Sequence, residues 1–330
     1  MKNKNVRLKE IAYELKLSIN TVSRALRDCN DVSKETKEKV IQKAIEFGYM
    51  PNIIAQSLKN DNKKCIAILI NNFRNLFFIS MYDKLAYLFS KNDFDFTIIY
   101  SKEKKVTVDI IKQCISQRVD GIISFYDFDA ESVNFAKYNN IIPVLLGKCK
   151  KDFNISQVYT DDISGGKLAA NYLLNFHKMN NFLYLGYKDN QNSIDRYEAF
   201  KETILKNKPD AQVKYIEFNR KNFDINLVLN CFEDGELGLF GFNDELVYDL
   251  LEQLNLKIPN IRKVYPKFHI VGFDSLSTRI KGLVDTTSIN FDYDLMCQES
   301  IKILQEAFYN ANYEVKKIAI PTTLHQRIYF

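Results

Sequence analysis

The sequence predicts a small all-α domain followed by an α/β core built of two doubly wound parallel-sheet subdomains. Three observations lead to this fold class. Apolar residues recur at helical spacing over the first 48 residues, and from residue 63 onward short continuous apolar runs alternate with amphipathic stretches. The chain of 330 residues is also too long for one ordinary hydrophobic core.

The first 48 residues are predicted to form three helices. The apolar face of the first consists of Leu8, Ile11, Ala12 and Leu15, at the spacing i, i+3, i+4, i+7. Ser18 is a suitable cap for a second helix over 19–26, and Ser33 is one for a third. Gly48 should end the third helix, because glycine readily adopts the left-handed conformation found after helices.

The second helix should carry its polar side chains on its outer face, since Val22, Ala25 and Leu26 turn inward. In a major groove Asn can pair with adenine, Arg with guanine, and Ser or Thr can hold phosphate. The outward residues of this kind are Asn20, Thr21, Ser23 and Arg24. An ordinary solvated helix would show the same pattern. The charge favours nucleic acid, because residues 1–61 carry 12 basic against 8 acidic side chains, or +4 of the total +5.

A short segment follows this helical domain. Asn52 could cap a helix over 53–58, but so short a helix is marginal in isolation. The segment could equally be a linker with a few buried anchors.

The core should contain eight parallel strands, because continuous apolar runs are typical of strands buried on both faces. They are expected at 66–70, 96–100, 121–125, 142–146, 182–185, 213–217, 237–242 and 269–273. Ligands of open α/β sheets bind at the carboxyl ends of the strands. The candidate ligand positions are therefore 72–78, 127, 192–196, 243–244 and 274.

The helical domain resembles that of the LacI/GalR family of bacterial transcription repressors. The matching residues are Ile11-Ala12, Ser18, Thr21-Val22-Ser23-Arg24, Val32-Ser33, Thr36, Val40, Gly48-Tyr49, Pro51-Asn52, Ala55 and Leu58. The resemblance implies that the second helix reads the major groove and that paired hinge helices enter the minor groove. The DNA-binding residues it implies are Ser18, Ile19, Asn20, Thr21, Ser23, Arg24, Asn52, Ala55 and Leu58.

The core also resembles that of the family, which has the fold of periplasmic sugar-binding proteins, with two halves crossed by three strand connections. Matching stretches are 75–78, 119–123, 161–162 with Gly165, 193–200, 242–244, 258–259, 271–274 and 286–287. Family ligand residues carry over onto Arg196, Asn243 and Asp274, whose groups suit a polyol. Phe73 or Phe77 could stack on a sugar ring, and Asp127 follows a strand at the same edge. Gly147 stands where the family commonly has Asp, so the identity of the sugar does not carry over.

The expected division is a helix-turn-helix domain over 1–48, a hinge over 49–62, and two core subdomains. The amino-terminal subdomain should comprise 63–161 with 291–320, and the carboxyl-terminal one 162–290 with 321–330.

No cofactor or metal is expected, because the six cysteines form no C-x-x-C pair and the three histidines lack zinc-ligand spacing. The cysteines resemble reduced cytosolic thiols. We found no signal peptide, no apolar window of membrane-spanning length and no convincing catalytic motif. A cytoplasmic protein that is not an enzyme is the expected class.

The leading hypothesis is a homodimeric repressor whose affinity for a pseudo-palindromic double-stranded DNA operator changes when a small ligand, expected to be a carbohydrate, binds the core. A corepressor-dependent regulator is the alternative, responding to a small molecule or to a phosphorylated carrier protein. Lys102, Lys104 and Lys105 form the basic cluster that a carrier would need, although such a run is more often a solvated loop. A solute-binding protein without DNA function is the third possibility.

Overall fold

The structure is a computed structural model that describes residues 8–27, 29–49, 63–103, 105–150, 152–176 and 179–327. The chain divides into two compact units, the first ending at Lys63 and the second beginning at Lys64. The predicted helix over 53–58, with Asn52, Ala55 and Leu58, lies outside the described residues, as does Lys104.

The first unit contains the three predicted helices, α1 (Leu8–Glu14), α2 (Ile19–Leu26) and α3 (Lys34–Glu46). The hydroxyl oxygens of Ser18 and Ser33 accept the N–H groups of Thr21 and Thr36, at 3.0 and 3.3 Å, so both predicted caps are confirmed. The small core consists of Ile11, Ala12, Val22, Ala25, Val40 and Ala44.

Gly48 ends α3 as expected. Its φ is +62°, in the left-handed region. The Gly48 N–H donates to Ile45 O at 3.0 Å and the Tyr49 N–H to Ala44 O at 2.8 Å. This pair of bonds is the Schellman arrangement, which satisfies the last carbonyls of a helix.

The second unit alternates strands and helices. In chain order they are β1 (Cys65–Ile70), α4 (Leu76–Lys91), β2 (Asp95–Tyr100), α5 (Val108–Ser116), β3 (Gly121–Ser124), α6 (Ala130–Tyr138), β4 (Ile142–Leu146), β5 (Ser156–Thr160), α7 (Asp162–Leu174), β6 (Asn181–Gly186), α8 (Gln191–Asn207), β7 (Gln212–Glu217), α9 (Asn226–Leu229), β8 (Glu236–Gly241), α10 (Asp244–Lys257), α11 (Ile261–Val264), β9 (Lys267–Phe273), a 3₁₀ turn (Leu276–Thr278), β10 (Ser288–Phe291), α12 (Tyr293–Tyr309), β11 (Lys317–Ile320) and β12 (Thr322–His325). All eight predicted strands are present: the one at 142–146 has the predicted bounds, and each of the other seven differs from its predicted bounds by one or two residues.

These strands form two six-stranded sheets. The first has the order β11-β5-β4-β3-β1-β2 and the second β12-β10-β9-β8-β6-β7. Every pair is parallel except β10 with β12. The predicted fold class, an all-α domain before a core of two parallel-sheet halves, is confirmed.

The described chain passes between the two sheets three times, and each passage is one residue long. Asp161 separates β5 from α7, Asp292 separates β10 from α12, and Pro321 separates β11 from β12. The two aspartates also cap helices: Asp161 accepts from the Ser164 N–H and Asp292 from the Leu295 N–H, both at 2.9 Å.

Within the carboxyl-terminal half, α7 and α8 pack closely because α7 presents small residues. Gly165, Gly166, Ala169 and Ala170 are all buried on α7. A Cβ added to Gly166 would lie 2.4 Å from the carbonyl oxygen of Arg196 on α8. This close approach fixes the position of α8.

Among the described residues, no helix combines the length and the apolar character needed to cross a membrane.

We expect Gly166→Ala to lower the free energy of unfolding by about 1–3 kcal/mol, because overpacking at the α7–α8 contact outweighs the ~1 kcal/mol that alanine gains over glycine in a helix. Chemical denaturation would measure this. Lys167→Ala, at an exposed position of the same helix, is the control and should change stability by less than about 0.5 kcal/mol. Equal stability of the two variants would contradict the prediction.

Candidate functional site

The outer face of α2 is the first candidate surface. Val22 and Ala25 are buried, whereas Ile19 and Asn20 are exposed. Ser18 is exposed too, and Thr21, Ser23 and Arg24 are partly exposed. The six predicted contact residues of this helix therefore lie outside the small core.

Asp31 holds the guanidinium of Arg24, a contact that the sequence did not reveal. Arg24 Nε donates to Asp31 Oδ1 at 3.2 Å, and Arg24 Nη2 contacts the other carboxylate oxygen. The pair raises the pKa of Arg24 and lowers that of Asp31. Both side chains remain largely exposed, so the guanidinium is oriented but stays accessible.

The second candidate site is a cavity of about 280 Å³ between the carboxyl ends of the two core sheets. One wall comes from the first sheet and α4, and the other from the second sheet with α8 and α10. The lining residues are Asn75, Phe77, Phe78, Phe125, Leu146, Gly147, Lys148, Thr160, Tyr187, Asn190, Asn192, Arg196, Arg220, Phe242, Asn243, Glu245, Leu246, Asp249, Asp274 and Phe291. The cavity thus combines five phenylalanine rings with a larger number of polar and charged side chains.

Four of the six predicted ligand residues line this cavity: Phe77, Arg196, Asn243 and Asp274. The structure places Phe73 and Asp127 outside its lining. Phe73 stacks on Tyr100, with ring centroids 5.8 Å apart, and is 55% exposed. The Asp127 carboxylate lies between the ammonium groups of Lys148 and Lys150, at 3.5 and 3.3 Å. Neither assignment gains support from this geometry.

Arg196 is buried and held from several sides. Its Nε donates to Asp162 Oδ1 at 2.7 Å, and its Nη1 donates to the carbonyl oxygen of Phe242 at 2.5 Å. The guanidinium carbon lies 3.3 Å from the ring centroid of Phe273. Burial raises the pKa of Asp162, and Arg196 opposes that shift. Two donors of Arg196 are thus committed to the protein, so its orientation is set before any ligand arrives.

Asp274 has the most perturbed carboxyl group facing the cavity. Burial raises its pKa to about 7, an effect that Arg196 partly offsets. Its φ is +95°, which costs energy for a residue with a Cβ, and such strain is concentrated at functional sites. The Tyr293 hydroxyl donates to its carbonyl oxygen at 3.1 Å.

Asp244 supports the loop that carries Asp274. It lies buried at the start of α10, where its two carboxylate oxygens accept the Leu276 N–H and the Ser288 hydroxyl, both at 2.7 Å. Burial raises its pKa well above the ordinary value. Asp244 was a candidate ligand position, but its contacts make it a structural group.

Asn243 lines the cavity, and its side-chain carbonyl is committed to a helix. Its Oδ1 caps α10 by accepting the Leu246 N–H at 3.0 Å. Because the Oδ1 serves the helix, the amide NH₂ is the group that suits a ligand acceptor.

Two hydrogen-bonded contacts cross the cavity between the two halves. Asn192 Nδ2 donates to Gly147 O at 2.8 Å. Glu245 accepts from Asn75 Nδ2 at 2.8 Å and from the Leu76 N–H at 2.7 Å. Asn192 was within a predicted candidate stretch, whereas nothing in the sequence brings Glu245 to Asn75, 170 positions away.

Among the described residues, no three His, Cys, Asp or Glu side chains are grouped to hold a metal ion.

Residues 7–52 match the family model described as bacterial regulatory proteins, lacI family. Among characterised relatives, the HTH-type transcriptional regulator RegA of Clostridium saccharobutylicum is 30% identical over 224 residues, which cover 64% of this chain and 65% of RegA. The chain therefore spans slightly less than two thirds of that relative. The HTH-type transcriptional regulator pepR1 of Lactobacillus delbrueckii subsp. lactis is 27% identical over 98% of this chain and 97% of its own length.

Solved structures share the fold. The lac repressor dimer bound to operator and the anti-inducer ONPF superposes with a TM-score of 0.77, 18% identity and 98% of each chain covered. The transcriptional regulator CelR in complex with cellobiose gives a TM-score of 0.65 at 19% identity, covering 98% of this chain and 99% of CelR.

Asp274→Asn should show by how much the buried carboxyl group lowers the free energy of unfolding near neutral pH. The folded-state pKa of about 7 lies above the unfolded value near 3.8, so the contribution of Asp274 to stability is greatest below about pH 4 and is lost as the pH rises to 7. The measured quantity is the free energy of unfolding of Asp274→Asn minus that of the unsubstituted chain. We expect this difference to increase by ~1.4 kcal/mol per pH unit between pH 4 and 7 and then to level off.

Urea unfolding at half-unit pH steps would measure this difference. Asp210→Asn, at an exposed position of the same half, is the control and should give a much flatter difference. A difference for Asp274→Asn that does not change with pH would rule out the buried, proton-binding carboxyl.

Proposed function

We propose that the chain is a sequence-specific DNA-binding repressor of the LacI family whose operator affinity changes when a small ligand, a sugar, binds the core cavity. The observation that carries the proposal is the helix-turn-helix unit over 8–49, with its polar face outside the core and its match to the family model.

For DNA recognition, α2 is assigned to the major groove. Asn20 would pair with adenine and Arg24 with guanine, with Ile19 beside them at the base edges. Ser18, Thr21 and Ser23 would hold phosphates. Asn52, Ala55 and Leu58 are assigned to the hinge and the minor groove.

For the effector, the cavity chemistry supports a sugar. Arg196, Asn243 and Asp274 supply a donor fork, an amide and a carboxyl group that suit hydroxyls. Phe77, which meets Phe78 and Phe125 at centroid distances of 5.3 and 6.0 Å, supplies an aromatic wall for the apolar face of a ring. The CelR structure, of similar fold, contains a disaccharide.

For the mechanism, ligand contacts to both walls would favour closure of the cavity. In a homodimer, closure would change the separation of the two DNA-binding domains and weaken binding to a pseudo-palindromic operator. A coupling of about 1–3 kcal/mol between the two sites would be typical.

A dimer has a suitable surface at the edge of the first sheet. β2 is the edge strand, and its side chains Phe96, Ile98 and Tyr100 are exposed. Phe73, stacked on Tyr100, and Ile79 of α4 are exposed as well. An exposed apolar edge strand invites pairing with another chain. We therefore assign the homodimer contact to this edge.

The domain bounds of the proposal are 1–48 for the DNA-binding domain, 49–62 for the hinge, 63–161 with 291–320 for one subdomain and 162–290 with 321–330 for the other. Sheet membership supports the core division. A DNA-binding regulator of this class is placed in the cytoplasm and has no enzymatic step.

Binding to labelled fragments of the chain's own upstream region, with scrambled competitor DNA, would test the function. Arg24→Ala should reduce the preference for the specific fragment by about 10- to 100-fold, the value of one bidentate base contact. Arg27→Ala also removes one positive charge, one residue past the end of α2. It should weaken binding to the specific and to the scrambled DNA alike.

Adding a panel of sugars would identify the effector. Release of the fragment by one sugar is the expected result, and strengthened binding would support the corepressor alternative. Absence of specific, salt-sensitive binding by the unsubstituted chain would contradict the DNA-binding function.

The edge-strand contact predicts that Ile98→Glu shifts the protein toward monomer, because a charge would be buried without a partner. Sedimentation velocity over a concentration series would measure the shift. Tyr138→Glu, at a 92% exposed position on α6, should leave the dimer intact. Dimers of equal strength in both variants would place the interface elsewhere.

A further inference from the structure

Glu245 joins the two halves of the core without any ligand. It lies in the first turn of α10, beside the second sheet, and its carboxylate reaches the start of α4, beside the first sheet. One oxygen accepts the Leu76 N–H at 2.7 Å and the other accepts Asn75 Nδ2 at 2.8 Å. A single carboxylate is therefore bound at two points across the cavity.

The donors at the start of α4 are well suited to a carboxylate. The Leu76 N–H is one of the first amides of a helix, which have no partner inside the helix, and the helix dipole favours negative charge there. Asn75 caps the same helix by accepting the Phe78 N–H at 3.0 Å, so its amide group is held in place to donate to Glu245.

Hydrogen bonds stabilise the contact, and burial of the carboxylate opposes it. Burial raises the pKa of Glu245 above its ordinary value, which shows that desolvating the carboxylate is costly. The Leu76 N–H, the nearby Arg220 and the Asn75 amide oppose this rise.

We propose that Glu245 is a positioning residue that acts as a latch: it holds the two halves of the core together before an effector binds, and so sets how much closure remains for the effector to induce. Asn192, bonded to Gly147 O, is the second tie across the same cavity. The tie between the two halves rests on the contacts described, whereas its effect on DNA rests on the proposed function.

The latch also bears on the choice of effector. An uncharged sugar offers no group that can replace a carboxylate at a helix start, so it would bind with the latch intact. Asn75 and the Leu76 N–H are then unavailable to the sugar, and its polar contacts fall to Arg196, Asn243 and Asp274.

Two substitutions break the latch from opposite sides. Glu245→Ala removes the carboxylate. Leu76→Pro removes the N–H donor on the other side and replaces the leucine side chain, and proline is favoured at the first position of a helix. The preceding Asn75 has φ −78° and ψ 117°, the extended conformation that a following proline requires. Glu252→Ala, at an exposed position of the same α10, is the matched control.

The chain contains no tryptophan, so Tyr187→Trp would place a single indole reporter in the cavity lining. We expect both latch variants in this background, as ligand-free full-length protein, to raise the acrylamide quenching constant of the indole about twofold. Glu252→Ala should leave it unchanged. Because Leu76→Pro deletes no side chain beside the indole, a change there reports opening of the cavity. Unchanged quenching in both latch variants would overturn the proposal.

Operator binding is the second readout, with the upstream DNA fragment and no sugar. If closure weakens DNA binding, both latch variants should bind the specific fragment about 3- to 10-fold more tightly, and Glu252→Ala should not. Raised quenching with unaltered or weakened operator binding would overturn the link between latch and DNA. Failure of the unsubstituted chain to bind DNA specifically would contradict the proposed function alone, since the quenching result does not depend on it.

Discussion

The buried guanidinium of Arg196 is the interaction on which the ligand cavity depends. It joins the start of α7, through Asp162, to the end of β8, through the Phe242 carbonyl, and it lies over the Phe273 ring at the end of β9. A buried ion pair of this kind is weak evidence for stability, because desolvation offsets the attraction. Removing one partner would destabilise the fold, because an unpaired buried charge would remain. The pair therefore fixes where the strand ends lie relative to one another, and the close α7–α8 contact at Gly166 holds the same helix from behind.

The charges around the cavity have distinct roles that follow from their surroundings. Asp244 is fully engaged with backbone and hydroxyl donors, so it shapes the loop. Asp274 is also buried, and this burial raises the pKa of its carboxyl to about 7. Near neutral pH it can therefore present either a donor or an acceptor to a hydroxyl group. The carboxylate of Glu245, in the same region, accepts hydrogen bonds from other groups of the protein, the Asn75 amide and the Leu76 N–H. In the proposed function, these three neighbouring carboxyl groups provide support for the loop, recognition of the ligand and closure of the cavity.

Much of the fold could be predicted from the sequence, because its main elements have strong local patterns. The three amino-terminal helices have caps and an apolar periodicity, and the eight predicted strands are continuous apolar runs. β5, β10, β11 and β12 were missed. β5 and β10 interleave polar residues such as Gln157 and Asn290 with apolar ones, and β11 and β12 are only four residues long. Short, mixed segments acquire strand structure from their neighbours, which local patterns do not contain.

The candidate site was predictable only in part, for a related reason. Arg196, Asn243 and Asp274 follow strands, and the family resemblance named them. Their roles as ligand contacts remain predictions. The Glu245 contact and the Arg24–Asp31 pair form between groups that the fold brings together, and no local sequence pattern predicts either contact. Phe73 was assigned from its residue type, but its ring is held on the outer surface by Tyr100.

The three single-residue passages between the sheets restrict the kinds of motion open to the core. Asp161 and Asp292 are tied to the first turns of α7 and α12, and proline fixes φ at Pro321. The Asp161 N–H also donates to Ile320 O at 2.9 Å, which ties two of the passages together. Short, neighbouring connections allow little sliding of one half along the other, but they leave rotation about the line that they define. The core can therefore transmit a rotation of one half relative to the other. A small rotation about this axis produces a larger displacement at the far edges of the sheets.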